Sequence, residues 1–374
     1  MTEKTFLYQS NGNKIDKGSI SVQSPSNIAL VKYWGKKPVQ IPANSSISFT
    51  LKNCYTQTSV SFEKSKEFQI NLSVEGEKNL DFLPKIEQFF KRIKDYSPYI
   101  FNYNLQIDTL NTFPHSSGIA SSASGFSALA YAVVQLEKQI SNISEKEAMT
   151  KASFLSRLGS GSACRSLFGP LAIWGKHEKL NKTSDLYAIE HHEIHDVFRD
   201  YQDTILLIDK GQKKVSSTVG HNLMTNHPFA KQRFIQAQEN IIAMIDILKS
   251  GNLDEFISKT EHEALTLHGM MMTSKPYFVL MKEGTLSSIN KIWEFREETK
   301  LPLCFTLDAG ANLHVLYPKR FTQEVLDFIR QELIVYCENQ QYICDEVGKG
   351  AKVLNEYYLS LIHISEPTRH DRIS

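Results

Sequence analysis

The chain has 374 residues, of which 41 % are apolar and 22 % charged, and its net charge is +1. That length suits two packed domains or one large one, and that balance is able to bury a core. It excludes a global basic field of the kind that draws nucleic acid, and no apolar run approaches the length of a membrane span.

The N-terminus, "MTEKTFLYQSNGNKID", lacks the apolar core of a signal peptide. Cys54, Cys164, Cys304, Cys337 and Cys344 are odd in number, scattered, and form no CxxC. A reduced, cytoplasmic compartment is therefore expected. The sequons at Asn44, Asn71, Asn142 and Asn181 carry no meaning without secretion.

The first third reads mostly as strands. "NIALVKYW" is β-rich, "SISFTL" and "TQTSVSF" alternate with polar positions, and "FQINLSVEG" and "YNLQIDTLN" continue the pattern. Between them "DFLPKIEQFFKRIKDYS" is an amphipathic helix whose face is Phe82, Ile86, Phe89, Phe90 and Ile93. Then comes "PHSSGIASSASG", residues 114–125, in which nine of twelve residues are Ser, Gly or Ala. Behind it Phe126, Leu129, Ala130, Val133 and Val134 recur at helical spacing. "SEKEAMTKASFLSRLG" follows; Ser144 and Glu147 match a capping box, and Gly159 is placed to end the helix. "PLAIWG" and "DLYAIEHHEI" read as strands.

Composition changes near 196–202. Beyond it "DTILLID" is a strand, and "PFAKQRFIQAQENIIAMIDILKSG" and "LDEFISKTEHEALTLHGMMMTS" are long helices. "GTLSSINKIWEFREET", "LCFTLDAGANLHVLYP" and "TQEVLDFIRQEL" give helix, strand pair, helix. The expectation is an α+β chain with closely packed domains at 1–195 and 196–359, without repeats or a Pro-rich linker. "GAKVLNEYYL" is a strand-like end, and 360–374, "SLIHISEPTRHDRIS", resembles translated sequencing-adapter read-through. This tail is set apart as non-native or disordered.

Several stretches are suited to chemistry. Small residues before a helix let backbone N–H groups approach an anion, and the helix start adds partial positive charge. "PHSSGIASSASG" is thus either a polyphosphate cradle or a tight turn with close helix packing; no Walker A string occurs. "SNIALVKYWGKK" sets Lys32, Lys36 and Lys37 around aromatic residues, either at the wall of an anion site or as a solvated strand end. "RLGSGSACRSLFGP" holds two Gly–Ser pairs and Arg165, a second anion nest or a plain turn. "DKGQKKVSSTVG" offers Lys213, Lys214, Ser216 and Ser217, and Asp308 ends an apolar strand before a tight turn. "EHHEIH" fails H-E-x-x-H, because Asp196 stands where the second His is required. No G-x-S-x-G elbow is evident.

Taken in order, "SNIALVKYWGKK", "PANSSISFTL", "PHSSGIASSASG", "GSGSACRSLFG", "KKVSST" and "TLDAGAN" resemble the diphosphomevalonate decarboxylases of the GHMP kinase superfamily, from about Ser26 to Asn312. K-Y-W-G-K paired with G-S-G-S-A-C-R-S is the specific part. The resemblance implies the GHMP kinase fold: an N-terminal domain like ribosomal protein S5 domain 2, then a ferredoxin-like domain, with the site between them. It implies ATP-dependent decarboxylation of 5-diphosphomevalonate, with Mg²⁺, in a homodimer. By the same resemblance Asp308 is the catalytic carboxylate, with Lys32, Arg165 and Asn27 beside it. Tyr33, Lys36, Ser160, Ser162, Arg165 and Ser217 meet the substrate. Gly118, Ser121, Ser122 and Ser124 meet ATP, Ser122 also meeting Mg²⁺. Thr218, His221 and Ala311 depart from the family pattern, in which many bacterial members carry Arg and Met at the first two places and Pro at the third. Lys213 or Lys214 would then replace a diphosphate contact. These departures leave the phosphorylation state of the substrate open, and with it a phosphomevalonate decarboxylase; a mevalonate 3-kinase is the other alternative, against which Asp308, Arg165 and Lys32 argue.

Overall fold

In the computed structural model, residues 1–78, 80–114, 119–211 and 217–359 are described, with the side chains of 217 and 218 excepted. The strands and helices of the first half are β1 (Lys17–Val31), β2 (Lys36–Lys37), β3 (Ile41–Pro42), β4 (Ser46–Lys64), β5 (Gln69–Val74), β6 (Glu77–Lys78), α1 (Leu83–Ile93), β7 (Tyr103–Asn111), α2 (Ser121–Ile140), α3 (Glu145–Gly159), β8 (Leu171–Trp174) and β9 (Ala188–His191). There follow β10 (Gln202–Leu206), α4 (Ser217–Asn222), α5 (Ala230–Ser250), α6 (Leu253–Met272), α7 (Glu283–Thr299), β11 (Cys304–Thr306), β12 (Leu313–Tyr317), α8 (Thr322–Phe328), β13 (Tyr342–Glu346) and β14 (Lys352–Leu359).

An eight-stranded sheet runs β14-β1-β4-β7-β5-β6, with β8 on the far part of β4 and β9 beside β8. Only β5 and β7 pair in parallel among its described ladders. A four-stranded sheet runs β11-β12-β10-β13, all antiparallel. The expected α+β class is what the chain adopts. Strand β14, which the division at 196 assigns to the second part, instead pairs with β1 from Lys17↔Leu359 to Gln23↔Lys352.

The long β1 explains where the site falls. Its first half alternates between buried and half-buried residues, as a sheet covered on one face does; from Ser24 to Val31 every residue is buried. Helix α2 packs on this strand, and α5 and α6 also reach it. Ile28, Leu30 and Val31 therefore share a core with Ala237, Ile241 and Phe256. The end of β1, with Lys32 just beyond it, is driven into the seam between the two sheets. Helix α3 starts at the expected box: Glu147 N–H donates to Ser144 Oγ, and the Ser144 N–H to Glu147 Oε2 at 2.8 Å. Helix α1 buries Phe89, Phe90 and Ile93, with Phe82 and Ile86 half-buried against the same core.

Candidate functional site

A cavity of ≈ 650 Å³ opens in this seam. Its walls bring together Lys32, Tyr33 and Lys36 after β1, Ser121 and Ser122 at the start of α2, Ser160, Ser162 and Arg165 after α3, and Asp308 after β11. The stretches that sequence left as separate signals thus meet in one place. Among the described residues the lining includes five cations (Lys32, Lys36, Lys85, Arg92, Arg165) against the single carboxylate of Asp308.

Lys32 is 1 % exposed, and its Nζ donates to Asp308 Oδ1 at 2.9 Å. Burial lowers the lysine pKa more than the Asp308 charge and hydrogen bond raise it. Asp308 keeps 28 % of its side chain exposed, although it lies deep in the cleft. Burial pushes its carboxyl up, but the Lys32 charge and hydrogen bond, then His314 and Arg165, together hold it below the ordinary value. At neutral pH Asp308 is a carboxylate facing the cavity, neutralised from behind.

Arg165 sits on the 3-10 turn Gly161–Leu167 and is 3 % exposed. Its Nε and Nη2 donate to Asn27 Oδ1 at 3.2 and 3.1 Å, and its Nη1 to Ser46 Oγ. Burial lowers its pKa from the ordinary arginine value. Among the described residues no carboxylate lies within salt-bridge distance of this buried guanidinium. Buried charges are normally paired, so an unpaired buried cation lining a cavity is a socket for an anion. Asn27 is buried behind it, its Nδ2 donating to Ser166 Oγ at 2.8 Å. It orients Arg165 rather than lining the cavity.

Tyr33 Oη is buried without a partner, and burial pushes its phenol pKa well up. A neutral hydroxyl in the cavity wall is thus left for a ligand oxygen. Lys36 is half-buried and donates to Gln40 Oε1 at 3.2 Å.

The stretch read as a loop is in part the helix itself, since α2 begins at Ser121 behind Ala120, whose φ of +48° is left-handed. Ala120, at the cap position, makes no side-chain capping hydrogen bond to this end. Ser122 Oγ lies 3.3 Å from Ser160 Oγ, so the helix start and the Gly–Ser turn are two sides of one corner of the cavity, with the backbone and hydroxyl donors an anion would need. Ser124 is turned away: fully buried, its Oγ lies 2.6 Å from Thr56 Oγ1 and donates to Ser121 O at 3.2 Å. It braces the first helical turn and does not line the cavity. Ser217 is the first residue of α4. Gly118, Lys213 and Lys214 lie outside the described residues.

Among the described residues no group of three or more His, Cys, Asp or Glu is placed to hold a metal ion. The "EHHEIH" string leaves His192 exposed, 3.5 Å from Glu190. For a magnesium ion the cavity supplies hard oxygen donors, Ser122 and Asp308. That set fits Mg²⁺ held mainly through phosphate oxygens and water, as this cation prefers.

The layer behind the site was not anticipated. Glu263 Oε2 accepts the Lys32 N–H at 2.8 Å, while Asn44 Nδ2 donates to the Lys32 carbonyl at 3.0 Å. Arg233 pairs with Glu263 and reaches the same carbonyl at 3.3 Å. His268 Nε2 lies 3.1 Å from Asp308 O. Asn312 donates to Asp209 O at 3.0 Å and accepts from Asp209 N–H at 2.9 Å, tying the Asp308 turn to the end of β10's strand segment. A signal existed: Arg233 and Asn240 fall on the apolar stripe of α5, and Glu263 on that of α6. Charged residues on a buried stripe mark a polar network.

Two sheets with helices meet around a Ser-rich helix start and a Lys–Asp pair, and the chain superposes on solved decarboxylases of the GHMP kinase fold. Residues 24–188 match the sequence model of the diphosphomevalonate decarboxylase-like N-terminal domain, and 204–369 that of the mevalonate 5-diphosphate decarboxylase C-terminal domain. The diphosphomevalonate decarboxylase of Saccharomyces cerevisiae is 30 % identical over 327 residues, covering 83 % of this chain and 80 % of that protein. That of Ganoderma lucidum is 29 % identical over 330 residues, with 83 % and 80 % covered. Among solved structures, mevalonate diphosphate decarboxylase from Staphylococcus aureus superposes with a TM-score of 0.79 at 29 % identity, covering 91 % of this chain and 98 % of that one. MDDEF in complex with MVAPP, AMPPCP and magnesium gives 0.78 at 27 % identity, covering 90 % and 99 %. The chain belongs to the diphosphomevalonate decarboxylase family.

Proposed function

We propose that this chain converts 5-diphosphomevalonate and ATP to isopentenyl diphosphate, ADP, phosphate and CO₂. The observation that carries the reading is the buried, carboxylate-free Arg165 in the same cavity as the Lys32–Asp308 pair. The reaction needs a socket for a carboxylate beside a group that directs a hydroxyl. A similar structure binding MVAPP, AMPPCP and magnesium supports it.

A tertiary hydroxyl leaves poorly. Asp308 accepts the hydrogen bond of the 3-hydroxyl and takes its proton as the oxygen attacks the γ-phosphoryl of ATP, releasing ADP. The 3-phosphate then departs with its bonding electrons, and the C–CO₂ bond supplies the pair that closes the new double bond. Arg165 holds the carboxylate until CO₂ leaves, and Asn27 sets the fork's plane. Lys32 sits within reach of Asp308 and balances charge as the phosphoryl moves. Tyr33, Lys36, Ser160, Ser162 and Ser217 are assigned to the diphosphate side. Ser121 and Ser122 are assigned to the nucleotide side, with Gly118; Ser124 serves there as a brace. Ser122 would help to hold magnesium, which would supply screening of the ATP phosphate charge.

Cys54, Cys164, Cys304 and Cys337 are buried free thiols and Cys344 an exposed one, which supports a reducing cytoplasmic setting. No helix among the described residues is long and apolar enough to cross a membrane. A homodimer is proposed from the family resemblance, to be read by sedimentation. The domain limits 1–195 and 196–359 are retained as a proposal, with β14 lent to the first sheet.

The test is CO₂ and ADP release with mevalonate, its 5-phosphate and its 5-diphosphate side by side. Turnover confined to the diphosphate is expected. A preference for the monophosphate, or ADP without CO₂, would replace this reading with a monophosphate decarboxylase or a 3-kinase. Asp308→Ala is expected to abolish CO₂ release while ATP still binds; near-normal release would overturn the assignment.

A further inference from the structure

Helix α4 carries Ser217 at one end and leans on the Tyr33–Lys36 turn with the other. His221 Nδ1 accepts the Gly35 N–H at 2.9 Å. Its ring centroid lies 4.2 Å from that of Tyr33 and 4.7 Å from that of Trp34, tilted by 35° and 39°. One residue earlier, Gly220 packs so closely that a Cβ there would come within 2.5 Å of the Trp34 indole. Gly35 has a φ of +97°, a left-handed conformation that suits glycine, and its carbonyl accepts the Ala43 N–H at 3.1 Å. The apex of the turn is therefore held from both halves of the chain: its carbonyl by the first, its N–H by the second.

An imidazole that accepts at Nδ1 carries its proton on Nε2 and is neutral. Burial, then the Lys36 charge, push His221 down to about 3, so this tautomer is kept at neutral pH. A methionine in place of His221 fills the space but offers only a weak thioether acceptor.

We propose that His221 is a positioning residue for substrate recognition, clasping α4 onto the Tyr33–Lys36 turn so that substrate-side groups of both halves stay in register. The inference rests on the functional reading above only for the identity of the ligand. His221 lines the cavity, yet its Nδ1 is already engaged by Gly35, which leaves that nitrogen no lone pair for general-base work.

The experiment uses the full chain with His221→Met and His221→Asn, the latter keeping an acceptor near the Nδ1 position. Steady-state constants are measured for each substrate, with hydrogen exchange of the segment 33–37. In His221→Met the KM for 5-diphosphomevalonate is expected to rise about tenfold, the worth of one net hydrogen bond. The KM for ATP is expected to stay within about twofold, and exchange in 33–37 to quicken. His221→Asn is expected to recover the KM to within about threefold of wild type. An unchanged KM in His221→Met, a parallel rise in the KM for ATP, or no recovery in His221→Asn would overturn the clasp. Gly220→Ala, which forces α4 off Trp34 with His221 present, is expected to raise the same KM, and an unaltered value there counts against it. If wild type releases no CO₂ from 5-diphosphomevalonate, the functional reading fails by itself. Exchange then still decides the clasp, and unaltered exchange in His221→Met refutes it.

Discussion

Replacing Glu263 by glutamine removes one charge and almost no volume. The carboxylate is fully buried, and Arg233 opposite is 1 % exposed. Its Oε2 accepts from Lys32 N–H at 2.8 Å and from Arg233 Nη2; its Oε1 accepts from Arg233 Nη1 at 2.9 Å and from Asn240 Nδ2. Both oxygens face donors only. In Glu263→Gln the new amide NH₂ must point at one of these donor pairs, and Arg233 loses its counter-charge. Breaking a buried pair from one side costs about 3–5 kcal/mol, a large part of the roughly 5–15 kcal/mol that holds a domain folded. The functional effect follows from the backbone. Lys32 loses the acceptor that fixes its N–H, and a shift of its side chain away from Asp308 by about 1 Å is worth on the order of 100-fold in rate. Urea unfolding with an unchanged slope and the turnover number measure the two effects. The pair Glu263→Leu with Arg233→Met separates them: part of the stability is expected to return, because no buried charge is left unpaired, while Lys32 N–H and Asn240 Nδ2 still lack their acceptor and the rate stays low. A loss below about 1 kcal/mol in Glu263→Gln, or an unchanged turnover number, would refute the reasoning.

Ser122→Ala is expected to raise the KM for MgATP and lower turnover while binding of 5-diphosphomevalonate is little changed; identical ATP constants contradict the placement of Ser122 on the nucleotide side. His268 is buried, and burial lowers its pKa to about 4 against the opposing pull of the Asp308 carbonyl. Below pH 6.5 the unfolded chain binds a proton there that the native chain refuses, so stability falls as pH falls. Relative to His268→Gln, wild type is expected to lose about 1.4 kcal/mol per pH unit from pH 6.5 down toward 4. Parallel urea midpoints for the two proteins across that range would show that His268 is not held neutral.

Helices with an apolar stripe or a cap box were readable residue by residue, as α3 between Ser144 and Gly159 demonstrates. Strand β1 was readable only from Asn27 onward. The "SVQSPSN" stretch has the composition of a loop, yet the strand runs through it, because the ladder with β4 shifts register between Pro25 and Asn27 and so absorbs the proline. β13, "YICDE", was missed because its Asp345 is polar; that carboxylate is buried, accepting N–H groups of Lys52, Asn53 and Cys54. In the site, Lys32, Arg165 and Asp308 were legible because they stand in local strings. Glu263 was not, since its partner Lys32 is 231 positions away and no string holds both. Ser124 was placed with the nucleotide groups because its neighbours are; helical geometry turns it inward, three residues beyond Ser121.

The pairing of β14 with β1 sets an order of events during synthesis. If the first sheet forms before Lys352–Leu359 has left the ribosome, the segment Lys17–Gln23 would pair with β4 alone and show a row of open N–H and C=O groups along its other side. An emerging chain of this kind carries an unsealed sheet margin until β14, the last strand among the described residues, appears and closes it. A chaperone that shields Lys17–Gln23 would have its greatest effect in that interval, and a stop before Lys352 would leave a product prone to edge-to-edge association even with every cavity-lining side chain present.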